Sequence, residues 1–108
     1  MVTALTENNF EDEVVKSDTP VIVDFWASWC MPCKMMAPLF EEVSADYAGR
    51  LKFAKLSVED NKEMADRFDI RGIPCLIVFK GGEEVDRITG FTPKEQLKVK
   101  IDEILSKL

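Results

Sequence analysis

The 108 residues predict an α/β chain whose mixed sheet is covered on both faces. Three observations carry this. Apolar runs of strand length alternate with segments of helical spacing, a Gly-Gly turn joins the last two strands, and an amphipathic helix closes the chain.

A weak opening strand leads to Thr6, the predicted N-cap of a helix through Phe10, Val14 and Val15 that ends near Ser17-Asp18. Thr19-Pro20 then leads into Val21-Ile22-Val23-Asp24-Phe25-Trp26-Ala27, an apolar run that reads as a buried strand. Met36, Leu39, Phe40, Val43 and Tyr47 recur at helical spacing and predict a helix over 32–48. Pro38 inside it removes a backbone hydrogen bond and predicts a kink, and Gly49 marks its end. Residues 51–58 read as a strand apolar on both faces. Asp60 is the predicted cap of a short helix carrying Met64, Ala65 and Phe68.

Gly72-Ile73-Pro74 signals a loop before the strand Cys75-Leu76-Ile77-Val78-Phe79. Lys80-Gly81-Gly82-Glu83 turns that strand into 85–90, where Val85, Arg87 and Thr89 alternate with Asp86 and Ile88. Thr92-Pro93-Lys94-Glu95 reads as a capping box with proline at N1. The last helix carries Leu97, Ile101, Ile104, Leu105 and Leu108 along one stripe. The length suits one domain, 1–108.

Composition narrows the function. The chain is 46% hydrophobic and 31% charged, the balance of a soluble globular protein. A net charge of −6 argues against nucleic acid as a partner, which needs a basic footprint. No apolar run approaches the roughly 20 residues of a membrane span. The first residues, Met1 to Glu7, lack a basic and an apolar signal region, so cytoplasmic residence is the expectation; a monomer is expected as well. Histidine is absent, which excludes Ser-His-Asp and Cys-His proteolysis and the usual His-bearing zinc sites.

The most informative stretch is Trp29-Cys30-Met31-Pro32-Cys33-Lys34, set where the strand 21–27 turns into the helix. Unpaired N–H groups and the positive dipole end of a helix stabilise a thiolate there. That lowers a cysteine's pKa and makes it nucleophilic at neutral pH. A second thiol one turn on can close a small disulfide with the first. This is the minimum equipment for reversible dithiol–disulfide exchange. A metal or iron–sulfur site built from Cys30, Cys33 and Cys75 is one alternative, short of the usual four ligands. A non-catalytic docking module is another.

The chain resembles the thioredoxin family over essentially its full length. The resemblance rests on Val23-Asp24-Phe25-Trp26-Ala27, Trp29-Cys30-x-Pro32-Cys33-Lys34, Pro38, Lys55, Gly72-Ile73-Pro74, Phe79-Lys80-x-Gly82 and Gly90. It implies a thioredoxin fold, a central five-stranded mixed sheet flanked by four helices. It also implies a protein-disulfide reductase in cell redox homeostasis, re-reduced by a thioredoxin reductase and needing no cofactor beyond its redox-active disulfide. Two positions depart from the family: Met31 stands where glycine is usual, and Cys75 where threonine is usual.

Cys30 is the expected nucleophile, its sulfur exposed at the helix start, and Cys33 the resolving thiol. Pro32 is expected to stiffen the turn. Met31 should add soft apolar surface beside the nucleophile and shift redox potential and target preference without changing the reaction type. Asp24 lies among apolar residues, where burial raises a carboxyl pKa; a solvent-facing strand-end Asp is the plain alternative. The resemblance places it behind Cys33 as the group that moves that thiol's proton. Lys55 is its natural partner, or a lysine that snorkels to the surface.

The resemblance also makes Ile73-Pro74 a cis bond and leaves the Ile73 backbone free to pair with an extended target. Trp29, Met31, Ile73, Pro74, Gly90 and Phe91 are the expected docking rim for disulfide-containing proteins. Gly72 and Gly90 read as places of close backbone approach, with a role in the turn alone as the alternative. Cys75 follows Pro74 and is expected near the Cys30–Cys33 pair, either as a small buried hydrophobe or as a third reactive thiol.

Overall fold

A computed structural model describes residues 1–108. Five strands form one sheet in the order β1-β3-β2-β4-β5. They are β1 (Thr3–Leu5), β2 (Val21–Trp26), β3 (Lys52–Ser57), β4 (Cys75–Lys80) and β5 (Glu83–Thr89). β1, β2 and β3 run parallel, and β4 is antiparallel to both β2 and β5, so the sheet is mixed as expected. Three α-helices, α1 (Met31–Ser44), α2 (Lys62–Arg67) and α3 (Lys94–Ser106), join a five-residue π-helix at Glu11–Val15. The four helices and five strands reproduce the expected architecture.

The period of two along each strand divides the apolar residues between two cores. Ile22, Phe53, Leu76, Val78 and Ile88 face α1 (Met36, Phe40, Val43) and α3 (Leu97, Ile101, Ile104). Val21, Val23, Phe25, Ala54, Leu56, Ile77 and Phe79 face the π-helix (Phe10, Val14) and Met64 of α2. Both sides of β2 are thus covered, which is why it reads as a continuous apolar run.

Thr6 does start the first helical region: its carbonyl accepts from Phe10 N (3.1 Å) and its hydroxyl from Asn8 N (3.1 Å). The helix closes on a five-residue bond, Lys16 N to Glu11 O at 3.0 Å. α1 runs unbroken through Pro38, which lies on its solvent side, and passes into a 3-10 turn at Ala45–Tyr47. Gly49, at φ +83°, then reverses the chain.

Three local expectations are corrected. Asn61, not Asp60, stands at the start of α2, because its side chain is committed to Ser57 O and Glu7 N and so pins the chain to β3 and to the segment after β1. The capping box at Thr92–Glu95 is absent. Pro93, with extended ψ, is the cap residue of α3, while Thr92 is buried and turns its hydroxyl to Gly90 O.

In β5 the alternation breaks. Val78 pairs with Asp86 and Phe79 with Glu84, leaving Val85 as the extra residue of a bulge. Val85 therefore packs on the same core as Ile88 instead of opposite to it.

Candidate active site

The topology gathers one set of chain ends at one edge of the sheet. β2 and β3 end side by side at Trp26 and Ser57. β4 starts beside the end of β2, Cys75 opposite Phe25, and β5 ends beside Cys75 at Thr89. The segments Ala27–Cys30, Val58–Glu59, Ile73-Pro74 and Gly90-Phe91 consequently meet where α1 begins.

There Cys30 is the N-cap of α1, with extended backbone (φ −92°, ψ 109°). Its Sγ accepts a hydrogen bond from Cys33 N at 3.2 Å, and Met31 and Pro32 fill N1 and N2. Sulfur therefore occupies the place of an oxygen cap, facing an otherwise unused amide at the positive end of the helix. Cys30 and Cys33 are joined as a disulfide with Cα atoms 5.2 Å apart.

The expectation of an exposed Cys30 is corrected: in the disulfide the residue is only 5% exposed. Ile73, Ala27, Trp26 and Val58 pack around the pair, and the Ile73 carbonyl oxygen lies 3.8 Å from Cys30 Sγ. The exposed groups are its neighbours, Trp29 at 70% and Met31 at 67%.

The Ile73-Pro74 bond is cis, and Pro74 is buried with its carbonyl accepting from Gly90 N at 2.8 Å. Ile73 is half-buried and Phe91 exposed. Of the two readings of Gly90, the turn role is the one the structure shows. A Cβ there would touch nothing within 4 Å, and the glycine is required by φ +91°. At Gly72 a Cβ would meet the Thr89 side chain, not another backbone.

Asp24 sits mid-strand between β3 and β4 and is 3% exposed, so the solvent-facing alternative is excluded. Its Oδ1 and the Trp26 Nε1 are buried with no hydrogen-bond partner among the protein groups. Burial drives the Asp24 carboxyl up to about 7, against a smaller opposing pull from the Lys55 charge. Lys55 is the register partner of Asp24 but is exposed, so of its two readings the structure shows the surface lysine and not a buried partner. Its ammonium lies 5.9 Å from the Trp26 ring centroid, the snorkelling arrangement.

A cleft of about 160 Å³ lies between Trp26, Cys33, Lys34, Ala37 and Lys55. The largest cleft, about 480 Å³, is elsewhere, against Met1, Ser44, Lys52 and Phe53. The cleft beside Cys33 is well below the usual volume of a small-molecule pocket.

Of the two readings of Cys75, the small buried hydrophobe is the one the structure shows. It is free and buried on the π-helix side of the sheet, in the core opposite to α1, although its neighbour Pro74 belongs to the site. Burial pushes its thiol up, and its nearest polar neighbour is Thr89 Oγ1 at 3.9 Å. No cluster of three or more His, Cys, Asp or Glu side chains is placed to hold a metal ion, so the metal alternative is not favoured.

Two residues of this edge escaped the sequence reading. Glu59 accepts hydrogen bonds from Ser28 N (2.6 Å) and Ser28 Oγ (3.1 Å), which hold its carboxyl below the usual range. The only signal was position: Ser28 directly precedes Trp29, and Glu59 follows the end of β3.

The comparisons with known proteins agree with this geometry. The thioredoxin family model matches residues 1–103. The chain belongs to the thioredoxin family. Thioredoxin 1 of Nostoc sp. is 43% identical over 101 residues, covering 94% of each chain. The thioredoxin of Alicyclobacillus acidocaldarius is 46% identical over 101 residues, 94% of this chain and 95% of its own. That of Staphylococcus saprophyticus is 45% identical over 104 residues, 96% and 98%. This thioredoxin-family chain is a thiol–disulfide oxidoreductase acting on protein disulfides.

Proposed function

We propose that the whole chain works as one thioredoxin domain in which Cys30 attacks and Cys33 resolves. The carrying observation is the Cys33 N–H donated to Cys30 Sγ at the N-cap of α1. In the reduced protein that donor and the helix dipole favour the Cys30 thiolate.

The thiolate attacks one sulfur of a target disulfide, and the other target sulfur leaves and takes a proton. Cys33 then gives its proton to Asp24 and attacks Cys30 Sγ. The second target sulfur leaves and takes a proton, so the two electron equivalents pass to the target and the protein is left as the Cys30–Cys33 disulfide. Asp24 suits the acceptor role: its carboxyl titrates near about 7 and lies on the sheet face that α1 covers. Lys55 tempers its burial through charge alone. The docking rim is Trp29, Met31, Ile73, Pro74, Gly90 and Phe91, with Met31 biasing target choice and Pro32 stiffening the turn.

A flavin-linked thioredoxin reductase returns the electrons, and the protein serves as a monomeric cytoplasmic carrier in electron transport. No helix is long and apolar enough to cross a membrane.

Reduction of insulin, with a small dithiol or a reductase as donor, tests the assignment. Cys30→Ser should abolish turnover and form no adduct. Cys33→Ser should stall as a mixed disulfide through Cys30, visible as a mass increase. An adduct formed through Cys33 in the Cys30→Ser variant, with turnover retained, would reverse the roles.

A further inference from the structure

Ala27, Ser28, Trp29 and Cys30 form a tight turn closed by Cys30 N donating to Ala27 O at 3.2 Å. Ser28 and Trp29 are its two corner residues, and a turn of this kind leaves the amide of the first corner unused. Glu59 takes that amide at 2.6 Å and the hydroxyl of the same serine at 3.1 Å. Its own backbone is anchored one residue earlier, where Val58 N donates to Trp26 O at 2.9 Å and prolongs the β2–β3 pairing.

The carboxylate thus braces the turn from the end of the neighbouring strand, by charge-assisted bonds of the stronger class. The lowered Glu59 carboxyl agrees with this. What the brace holds is the corner that carries Trp29, which is 70% exposed.

We propose that Glu59 is a positioning residue for target recognition: through Ser28 it fixes the corner that presents the Trp29 ring to protein disulfides. The inference rests on Trp29 belonging to the docking rim. Glu59 touches neither sulfur and takes no part in the proton steps. Its loss should weaken capture of a protein target, which needs the indole in place, and spare a small disulfide, which needs only the sulfur. An ordered aromatic side chain binds with less entropy to lose than a mobile one.

The test compares Glu59→Ala, Glu59→Gln and Trp29→Ala, with insulin and with a dithiobis(nitrobenzoate)-type aromatic disulfide as substrates. For Glu59→Ala the insulin KM should rise about fivefold with kcat nearly unchanged, while the small disulfide reacts within about twofold of the parent. Glu59→Gln should restore the insulin KM to within about twofold, because its amide oxygen still accepts from Ser28 N. The Trp29 indole N–H resonance should broaden in Glu59→Ala and sharpen again in Glu59→Gln.

A raised KM in Trp29→Ala with an unchanged KM in Glu59→Ala overturns the brace and leaves the docking rim standing. An unchanged KM in Trp29→Ala overturns the rim and the inference with it. Equal losses on both substrates in Glu59→Ala would mean that its charge acts at the sulfur, which also overturns the proposal. Should Glu59→Ala not fold, Glu59→Met, a chain of similar length without a carboxylate or amide oxygen, carries the same comparison.

Discussion

Asp24 and Lys55 are register partners on adjacent parallel strands, yet the carboxyl is sealed from solvent while the ammonium lies outside, over the Trp26 ring. The carboxyl therefore bears the cost of burial with only distant compensation, and its stability effect has a definite sign. Unfolded, Asp24 titrates near 3.8; in the fold it titrates at about 7. Below the lower value both states are protonated and nothing is lost. Between the two the unfolded chain has released a proton that the fold keeps, so stability falls as pH rises, and the loss is complete above pH 7. The gap corresponds to ~4 kcal/mol at most. Asp24→Asn, neutral throughout, should exceed the parent in stability by up to that amount at pH 8 and match it near pH 4. Urea unfolding at the two pH values checks this, and an equal gain at both would contradict it.

The same titration should appear in the rate. If Asp24 accepts the Cys33 proton, turnover rises as pH passes through about 7 and the carboxylate becomes available. Asp24→Asn should lower insulin reduction by roughly a hundredfold at pH 7, the lower end of the usual range for a lost general base. It should also flatten the profile around neutrality. A parent-like profile in the variant would remove Asp24 from the proton path.

The two-sided burial of β2 and the strand-to-helix placement of Cys30 and Cys33 were legible in the sequence, because apolar run length and helical spacing are local patterns. What stayed hidden depends on partners remote in sequence. The Val85 bulge is set by where β4 and β5 slip in register. Thr92 reads as a cap until its burial beneath Gly90 shows that its hydroxyl faces inward. Lys55 left two readings open, a partner of Asp24 or a snorkelling lysine, because a long side chain can leave the face its Cα occupies. Cys75 illustrates the reverse: adjacency to Pro74 in sequence suggests adjacency to the sulfurs, and the strand's period of two points it to the other core. The Glu59–Ser28 contact joins residues 31 positions apart and left no pattern to read.

Met31 is two-thirds exposed at the first position of α1, beside the disulfide. Full burial of such a side chain contributes about 1.5–3 kcal/mol, so partial coverage by a docked target should be worth ~1 kcal/mol. Met31→Gly should raise the KM for insulin by about fivefold while the small aromatic disulfide reacts within about twofold of the parent. Steady-state kinetics on both substrates decide the point; an unchanged KM would show that docked chains do not cover the thioether.

Cys75 is buried with its thiol pushed up, and its core lies across the sheet from α1. In the reduced native protein an aromatic disulfide reagent should therefore consume Cys30 and, through resolution of the mixed disulfide, Cys33, and reach Cys75 only on unfolding. Cys75→Ser should keep insulin turnover within about twofold and lower stability by ~1–2 kcal/mol, the cost of placing a hydroxyl in an apolar site. A tenfold loss of turnover in a folded variant would give Cys75 a redox role.

Tyr47 closes the far end of α1 against α3. Its ring is buried in the α1–α3 core, and its hydroxyl donates to Asp102 Oδ1 at 2.7 Å with the Lys98 carbonyl 3.2 Å away. The acceptors lie at the rim of the core, where water can replace the lost donor, so Tyr47→Phe should cost only ~1 kcal/mol. That corresponds to a fall in Tm of about 4–8 °C for a domain of this size. Asp102→Ala should cost a similar amount. Because both changes remove the same hydrogen bond, the double variant should be little worse than either single one. Thermal melts of the three variants measure this coupling, and strictly additive losses would show that Tyr47 stabilises the helix pair by ring packing alone.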